Sequence, residues 1–230
     1  MKKIEKFIFI SLFIVLMPFL PFIGITQFED RRYLIIAFII VIAAFVPFWL
    51  RANRKGLNAR ELSLIAVMTA LSVAGRTLFY LIPGFKPVAA LAAIAGMALG
   101  AEAGFLTGAL SALLSNMIFG QGPWTPFQMF AWGMIGFFAS FLTVKKRQPS
   151  KVALILYGTI AGIFFSFAMD IWGTVSAVGI FSKEAFIVAI TSAIPFTIIY
   201  IVSNIVFLLL LTNPIMQRLN RIKTKYKLFQ

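Results

Sequence analysis

The 230 residues include no cysteine and no histidine, and only seven are acidic. Without cysteine there are no disulfides and no thiolate ligands for a structural zinc. Without histidine the commonest general base and metal ligand is gone. Acyl-transfer triads, Cys–His pairs and most zinc chemistry are therefore closed to this chain. Apart from loop residues, the acids near apolar segments are Asp170 and Glu102, and neither has a base or nucleophile to work with. No G-x-x-x-x-G-K-[ST] stretch occurs, so no loop cradles a nucleotide phosphate. The expectation is a chain that is not an enzyme, with no catalytic residue, no metal site and no cofactor of its own.

What is abundant is apolar surface. Hydrophobic residues make up 61 % of the chain, and the mean hydropathy is +0.97. A soluble domain of this size could not hide that much oil, so the class is a polytopic membrane protein. A helix needs about 20 apolar residues to cross the hydrocarbon core. Runs at 7–25, 33–50 and 62–82 meet that length. The next run, 87–119, would make a helix of roughly 50 Å. It holds Glu102 near its middle, between Gly100 and Gly104, and is read as two shorter helices broken there. Runs at 126–142, 152–178 and 185–211 complete eight helices in an all-α fold. Lys2, Lys3 and Lys6 ahead of the first run resemble a signal peptide. The run is long, carries Pro18 and Pro21 and lacks a small-x-small cleavage site, so it reads as a retained helix.

The net charge of +14 is placed asymmetrically. With a cytoplasmic N-terminus, 16 of the 21 basic residues fall inside, including Arg51, Arg54, Lys55, Arg60, Lys145, Lys146, Arg147 and Lys151, and five in the tail from Arg218 to Lys227. Arg31, Arg32, Arg76, Lys86 and Lys183 remain outside. This is the positive-inside pattern of a multi-pass protein of the cytoplasmic membrane with both termini in the cytoplasm. The basic surface faces anionic lipid and not nucleic acid.

The same topology sorts the polar residues. Arg76, Tyr80, Phe85, Lys86, Asn116, Gln121, Trp124, Gln128, Asp170 and Trp172 converge on the outer face and are the candidate ligand-binding residues. The stretch "NMIFGQGPWTPFQMFAWG" (116–133) concentrates amides, indoles and prolines at that mouth. Each residue also has a plainer role: Trp124 as an interfacial anchor, Trp132 as core packing, Pro123 and Pro126 as helix punctuation, and Asn116 and Asn204 as interhelical glue. Asp170, a carboxylate inside a span, is either paired with Arg76 or Lys86 or belongs to a ligand site. A proton- or sodium-driven carrier would use it as an ion site, but such carriers usually show internal repeats, and none is evident. Small residues make a further pattern. Ala66, Ala70 and Ala74 share one helix face, and Gly96, Gly100, Gly104 and Gly108 repeat the spacing. Such faces serve either internal packing or docking of another membrane subunit.

Over about two-thirds of its length, 59–211, the chain resembles the substrate-specific S components of energy-coupling factor (ECF) vitamin transporters. The resemblance lies in "ELSLIAVMTALSVAGR", in "AGMALGAEAGFLTGALSALLSNMIFG" and in "GPWTPFQMFAWGMIGF". It implies a six-helix substrate-binding core, 56–215, preceded by two extra transmembrane helices within 1–55 and followed by a basic cytoplasmic tail, 216–230. It further implies capture of a vitamin from outside and association with a transmembrane coupling (T) subunit and two ABC-type ATPases, which would use the ATP. In that family an alanine motif on the first core helix contacts the coupling subunit, and Ala66 and Ala70 match it. Aromatic and amide groups with two cations suit a large, flat, hydrogen-bonding ligand with anionic character. Cobalamin leads; riboflavin, folate and a queuosine precursor fit the same chemistry.

Overall fold

The computed structural model of the chain describes residues 59–122, 124–143, 148–178 and 182–229. The expected N-terminal spans at 7–25 and 33–50 lie outside them, as do Pro123, Lys145, Lys146 and Arg147. The described elements are α1 (Ala59–Leu78), α2 (Val88–Leu99), α3 (Ala101–Phe119), α4 (Thr125–Ala139), a 3-10 turn (Ser140–Thr143), α5 (Lys151–Val178) and α6 (Lys183–Tyr226). All regular structure among the described residues is helical. α1, α3, α5 and α6 are long and apolar enough to cross a membrane.

The centre of the bundle is α2, whose twelve residues are all buried. Its sequence, VAALAAIAGMAL, explains why: small side chains let α1, α3, α4 and α6 close on every side of it. At 12 residues α2 is about 18 Å long, short of a bilayer core. The loop 79–87 leads into its N-terminal end. Irregular backbone at that depth requires internal partners. Ser203 on α6 supplies them at Lys86: its hydroxyl accepts from the Lys86 N–H (2.8 Å) and donates to the Lys86 carbonyl (3.0 Å).

The break expected near Glu102 falls at Gly100, whose φ of 110° is open to glycine and strained for other residues. This single residue reverses the chain, so that α3 runs back along α2. The glycine series then becomes the seam of three helices. A Cβ on Gly96 would lie 1.9 Å from the Gly136 carbonyl oxygen, one on Gly104 2.3 Å from the same atom, and one on Gly108 2.2 Å from the Trp132 carbonyl oxygen. The glycine stripe is therefore internal packing of α2, α3 and α4.

α4 opens with Pro126 in its first turn, where the missing N–H costs nothing. α6 is capped by Ser182, whose hydroxyl accepts from the Ala185 N–H at 3.2 Å. It runs for 44 residues through Pro195 and Pro214, about 66 Å. The run expected to end at 211 thus continues as helix through most of the basic tail. Met216, Leu219 and Leu228 are buried, Lys223 Nζ donates to the Ala98 carbonyl at 3.0 Å, and the Phe229 N–H donates to Glu61 Oε1. The Arg60 guanidinium sits 4.6 Å from the Tyr226 ring centre. The tail is strapped to the start of α1 and the C-terminal end of α2.

Candidate ligand-binding site

A cavity of about 70 Å³ lies where the end of α1, the loop before α2, the start of α4 and the middles of α5 and α6 meet. Arg76, Gly84, Lys86, Val88, Ala89, Gln128, Trp132, Phe165, Tyr200 and Asn204 line it. One wall is aromatic. Trp132 and Phe165 stack nearly parallel, with centres 5.2 Å apart and planes at 5°. Tyr200 meets Phe165 edge-on at 5.0 Å. The Arg76 guanidinium lies 5.2 Å from the Trp132 ring and 5.0 Å from Phe119, within cation–π range of both.

Arg76 is buried, and a buried cation needs partners. Its Nη1 donates to Asn116 Oδ1 at 2.8 Å and to the Ser115 hydroxyl. Asn116 Nδ2 in turn donates to Gln128 Oε1 and to Thr125 Oγ1, both at 2.8 Å. The Thr125 hydroxyl donates to Gln121 Oε1 at 2.9 Å, and Gln121 Nε2 donates to the Leu113 carbonyl at 2.8 Å. The amides of the 116–133 stretch thus form one network that ties α3 to α4 and holds Arg76 at the cavity. No acid belongs to it. Arg76 Nε is buried and has no hydrogen-bond partner among the described residues. Lys86, in the loop before α2, adds a second cation. Two cations without a carboxylate favour a ligand that brings negative charge or several acceptors.

Of the ten candidates, Arg76, Lys86 and Gln128 line the cavity. Asn116 and Gln121 stand behind them in the network. Phe85 packs on Phe79 and Phe207 beneath the loop. Tyr80 is exposed and stacks on Phe119. The Trp124 ring rests against Gly122, 36 % exposed, and does not reach the cavity. Trp172 is buried against Phe127 and Met169. Asp170 pairs with neither Arg76 nor Lys86: the Ser166 hydroxyl lies 3.5 Å from its Oδ2, and Ser166 is in turn 2.6 Å from Thr197 on α6. The lining residues that sequence reasoning missed are Phe165 and Tyr200, which carry no signal to separate them from other span aromatics. Trp132 and Asn204 also line the cavity. Their sequence context marks them only as core packing and interhelical glue, and Asn204 does donate to the Gly158 carbonyl at 3.4 Å.

On α1, Ala66, Ala70 and Ala74 are exposed, alongside Leu62, Val67 and Leu71. Unlike the glycine seam, this small-residue face is not consumed by packing among the described residues.

Residues 56–218 match the family model described as ECF-type riboflavin transporter, S component. No significant match was found among curated proteins or among solved structures. The matched span covers most of the chain and all the residues lining the cavity.

Proposed function

The chain belongs to the family of ECF-type riboflavin transporter S components, and from that membership we propose that it captures riboflavin on the outer side of the membrane and delivers it through an ATP-driven complex. Membership in this family implies a multi-pass transport subunit that works with a coupling subunit and ATPases, and the family is not one of enzymes. Riboflavin is one of the four ligands compatible with the polar chemistry of the outer mouth, and it now displaces cobalamin as the leading substrate.

The observation that carries the reading is Arg76. It is buried, aimed at the cavity, flanked by the Trp132–Phe165 stack and left with an unpartnered Nε. A flavin offers a flat fused ring for such a wall and carbonyl acceptors for Arg76 and Lys86. The cavity of about 70 Å³ is well below the roughly 300–1,000 Å³ of ordinary ligand pockets, so entry requires expansion. The loop 79–87 supplies Gly84 and Lys86 to the lining and exposes Tyr80, Leu81 and Ile82, which makes it the segment to move. The sidedness rests on the basic-residue bias, with the aromatic cavity outside. The exposed Ala66, Ala70 and Ala74 face is the proposed contact for the coupling subunit. A carrier driven by ions at Asp170 has less support, since that carboxylate does not line the cavity.

Riboflavin fluorescence decides the matter. Titrating the purified protein with riboflavin should quench the flavin by stacking and saturate at one per chain, and cyanocobalamin in large excess should not compete. Absence of quenching, with cyanocobalamin bound instead, would move the substrate back to a corrin.

A further inference from the structure

The flavin reading leaves a mismatch of charge at its own site. Riboflavin is neutral, whereas Arg76 and Lys86 both line the cavity and no acidic residue does. Asp170 pairs with neither cation; its carboxylate lies against the Ser166 hydroxyl. Arg76 is buried, with 9 % of its surface exposed. Its hydrogen bonds go to the neutral side chains of Ser115 and Asn116, and its Nε has no partner among the described residues. The Lys86 backbone is held by Ser203, but its ammonium has no hydrogen-bond partner among the described residues. Gln128 spends its Oε1 on Asn116, and its Nε2 has no partner among the described residues. A guanidinium, an ammonium and an amide N–H2 thus line one cavity with donors unspent. Such groups cost free energy away from water until an acceptor, best an anionic one, satisfies them.

The size of the cavity is a second observation pointing the same way. About 70 Å³ holds about two waters by liquid volume, or one tetrahedral oxyanion. A fused three-ring system has to force it open. The preformed part of the site therefore matches an oxyanion more closely than a flavin ring.

We propose that Arg76 Nε, the Lys86 ammonium and the Gln128 amide form a subsite for a phosphate group. The proposal rests on the flavin reading and refines it: the ligand that satisfies the cations is the phosphate ester of the flavin, flavin mononucleotide, with its ring against the Trp132–Phe165 wall. Free inorganic phosphate seated beside riboflavin carries the same chemistry.

The test uses the full-length protein in neutral detergent and phosphate-free buffer. It is titrated with flavin mononucleotide and with riboflavin, and quenching of flavin fluorescence is read. The mononucleotide should bind at least about tenfold tighter, as expected for added charge-assisted hydrogen bonds. Lys86→Gln should bring the ratio of the two affinities close to one, whatever it does to riboflavin alone. Taking the ratio within one protein cancels any general loss of folding. Lys183→Gln removes an equal charge from an exposed position at the start of α6, outside the cavity lining. It should leave the ratio within about twofold, in keeping with a screened surface charge. If the two flavins bind alike, but inorganic phosphate tightens riboflavin binding above a sodium chloride control of matched ionic strength, and does so in wild type and not in Lys86→Gln, the subsite stands and its source is the free ion. The proposal is overturned if the mononucleotide gains nothing and phosphate has no effect, if Lys86→Gln keeps the wild-type ratio, or if Lys183→Gln lowers it as far. Protein that binds riboflavin but fails these comparisons keeps the function proposed above and loses only the subsite. If neither flavin binds, the riboflavin reading fails, and melting temperature decides the subsite alone: phosphate must stabilise wild type above the sodium chloride control and must not stabilise Lys86→Gln.

Discussion

The α2–α3–α4 trio and the α5–α6 hairpin solve the same packing problem in opposite ways. In the trio, glycines bring backbones into direct contact, and α2 has no exposed residue. In the hairpin, only 33 % of the most apolar stretch of α5 and 22 % of that of α6 are buried. Apolar residues therefore fill both the buried trio and the exposed hairpin. In a bilayer, hydrophobicity does not separate the inside of a protein from its outside, because lipid is as apolar as leucine. Smallness does. The trio forms the back of the cavity beside Arg76, through Val88, Ala89, Gln128 and Trp132. The hairpin contributes Phe165, Tyr200 and Asn204 from a region with room to shift.

The sharpest way to break that contrast is at the seam. Gly96→Leu drives a side chain into the Gly136 carbonyl and should remove the folded state, a loss on the order of 5 kcal/mol or more. The readout is a monodisperse peak on size exclusion, and its survival would mean the trio can open. On the exposed alanine face the outcome is different in kind. Ala66→Trp with Ala70→Trp should abolish co-purification with the coupling subunit, while the riboflavin dissociation constant stays within about threefold, under about 1 kcal/mol. Retained pull-down would show that the partner docks elsewhere.

Arg76→Met comes next. Truncating a buried, hydrogen-bonded charge at an interface costs about 2–5 kcal/mol, to be read as weakened riboflavin affinity in protein that still elutes as a single species. In the hairpin, a Cβ added at Gly173 would meet nothing within 4 Å. Gly173→Ala should therefore stabilise by about 0.5–1 kcal/mol through helix propensity, seen as a higher melting temperature. The smallest effect belongs to Trp124→Ala. With the ring outside the cavity, affinity should change by less than about 0.5 kcal/mol, the usual range for surface sites, while the melting temperature falls as an interfacial anchor is lost. A tenfold loss of affinity would mean that Trp124 swings inward over the ligand.

Span length and charge made much of this bundle readable in advance. The break of the 87–119 run could be placed to within two residues because no single helix of that length fits a membrane, and Gly100 and Glu102 offered the interruption. Arg76, Lys86 and Gln128 were legible because a polar group at the end of an apolar run needs a reason. Phe165 and Tyr200 were not, because in a chain with 26 phenylalanines a mid-span aromatic looks the same whether it faces lipid, core or ligand. Trp124 and Trp172 stand out as indoles near the mouth, yet one rests on Gly122 and the other on Phe127. The α6 extension was hidden by Pro214 and by the run of positive charge. Met216, Leu219 and Leu228, apolar residues spaced through a basic segment, were the available sign that one face of it is buried.

One hydroxyl has an outsized mechanical consequence. Ser203 engages both the N–H and the carbonyl of Lys86, 117 positions earlier in the chain. The lysine backbone is thereby tied to α6 as well as to α2, which begins two residues later. Any tilt of α6 against the rigid trio carries that ammonium toward or away from Arg76, so the spacing of the two charges becomes a gauge of how far the hairpin has moved.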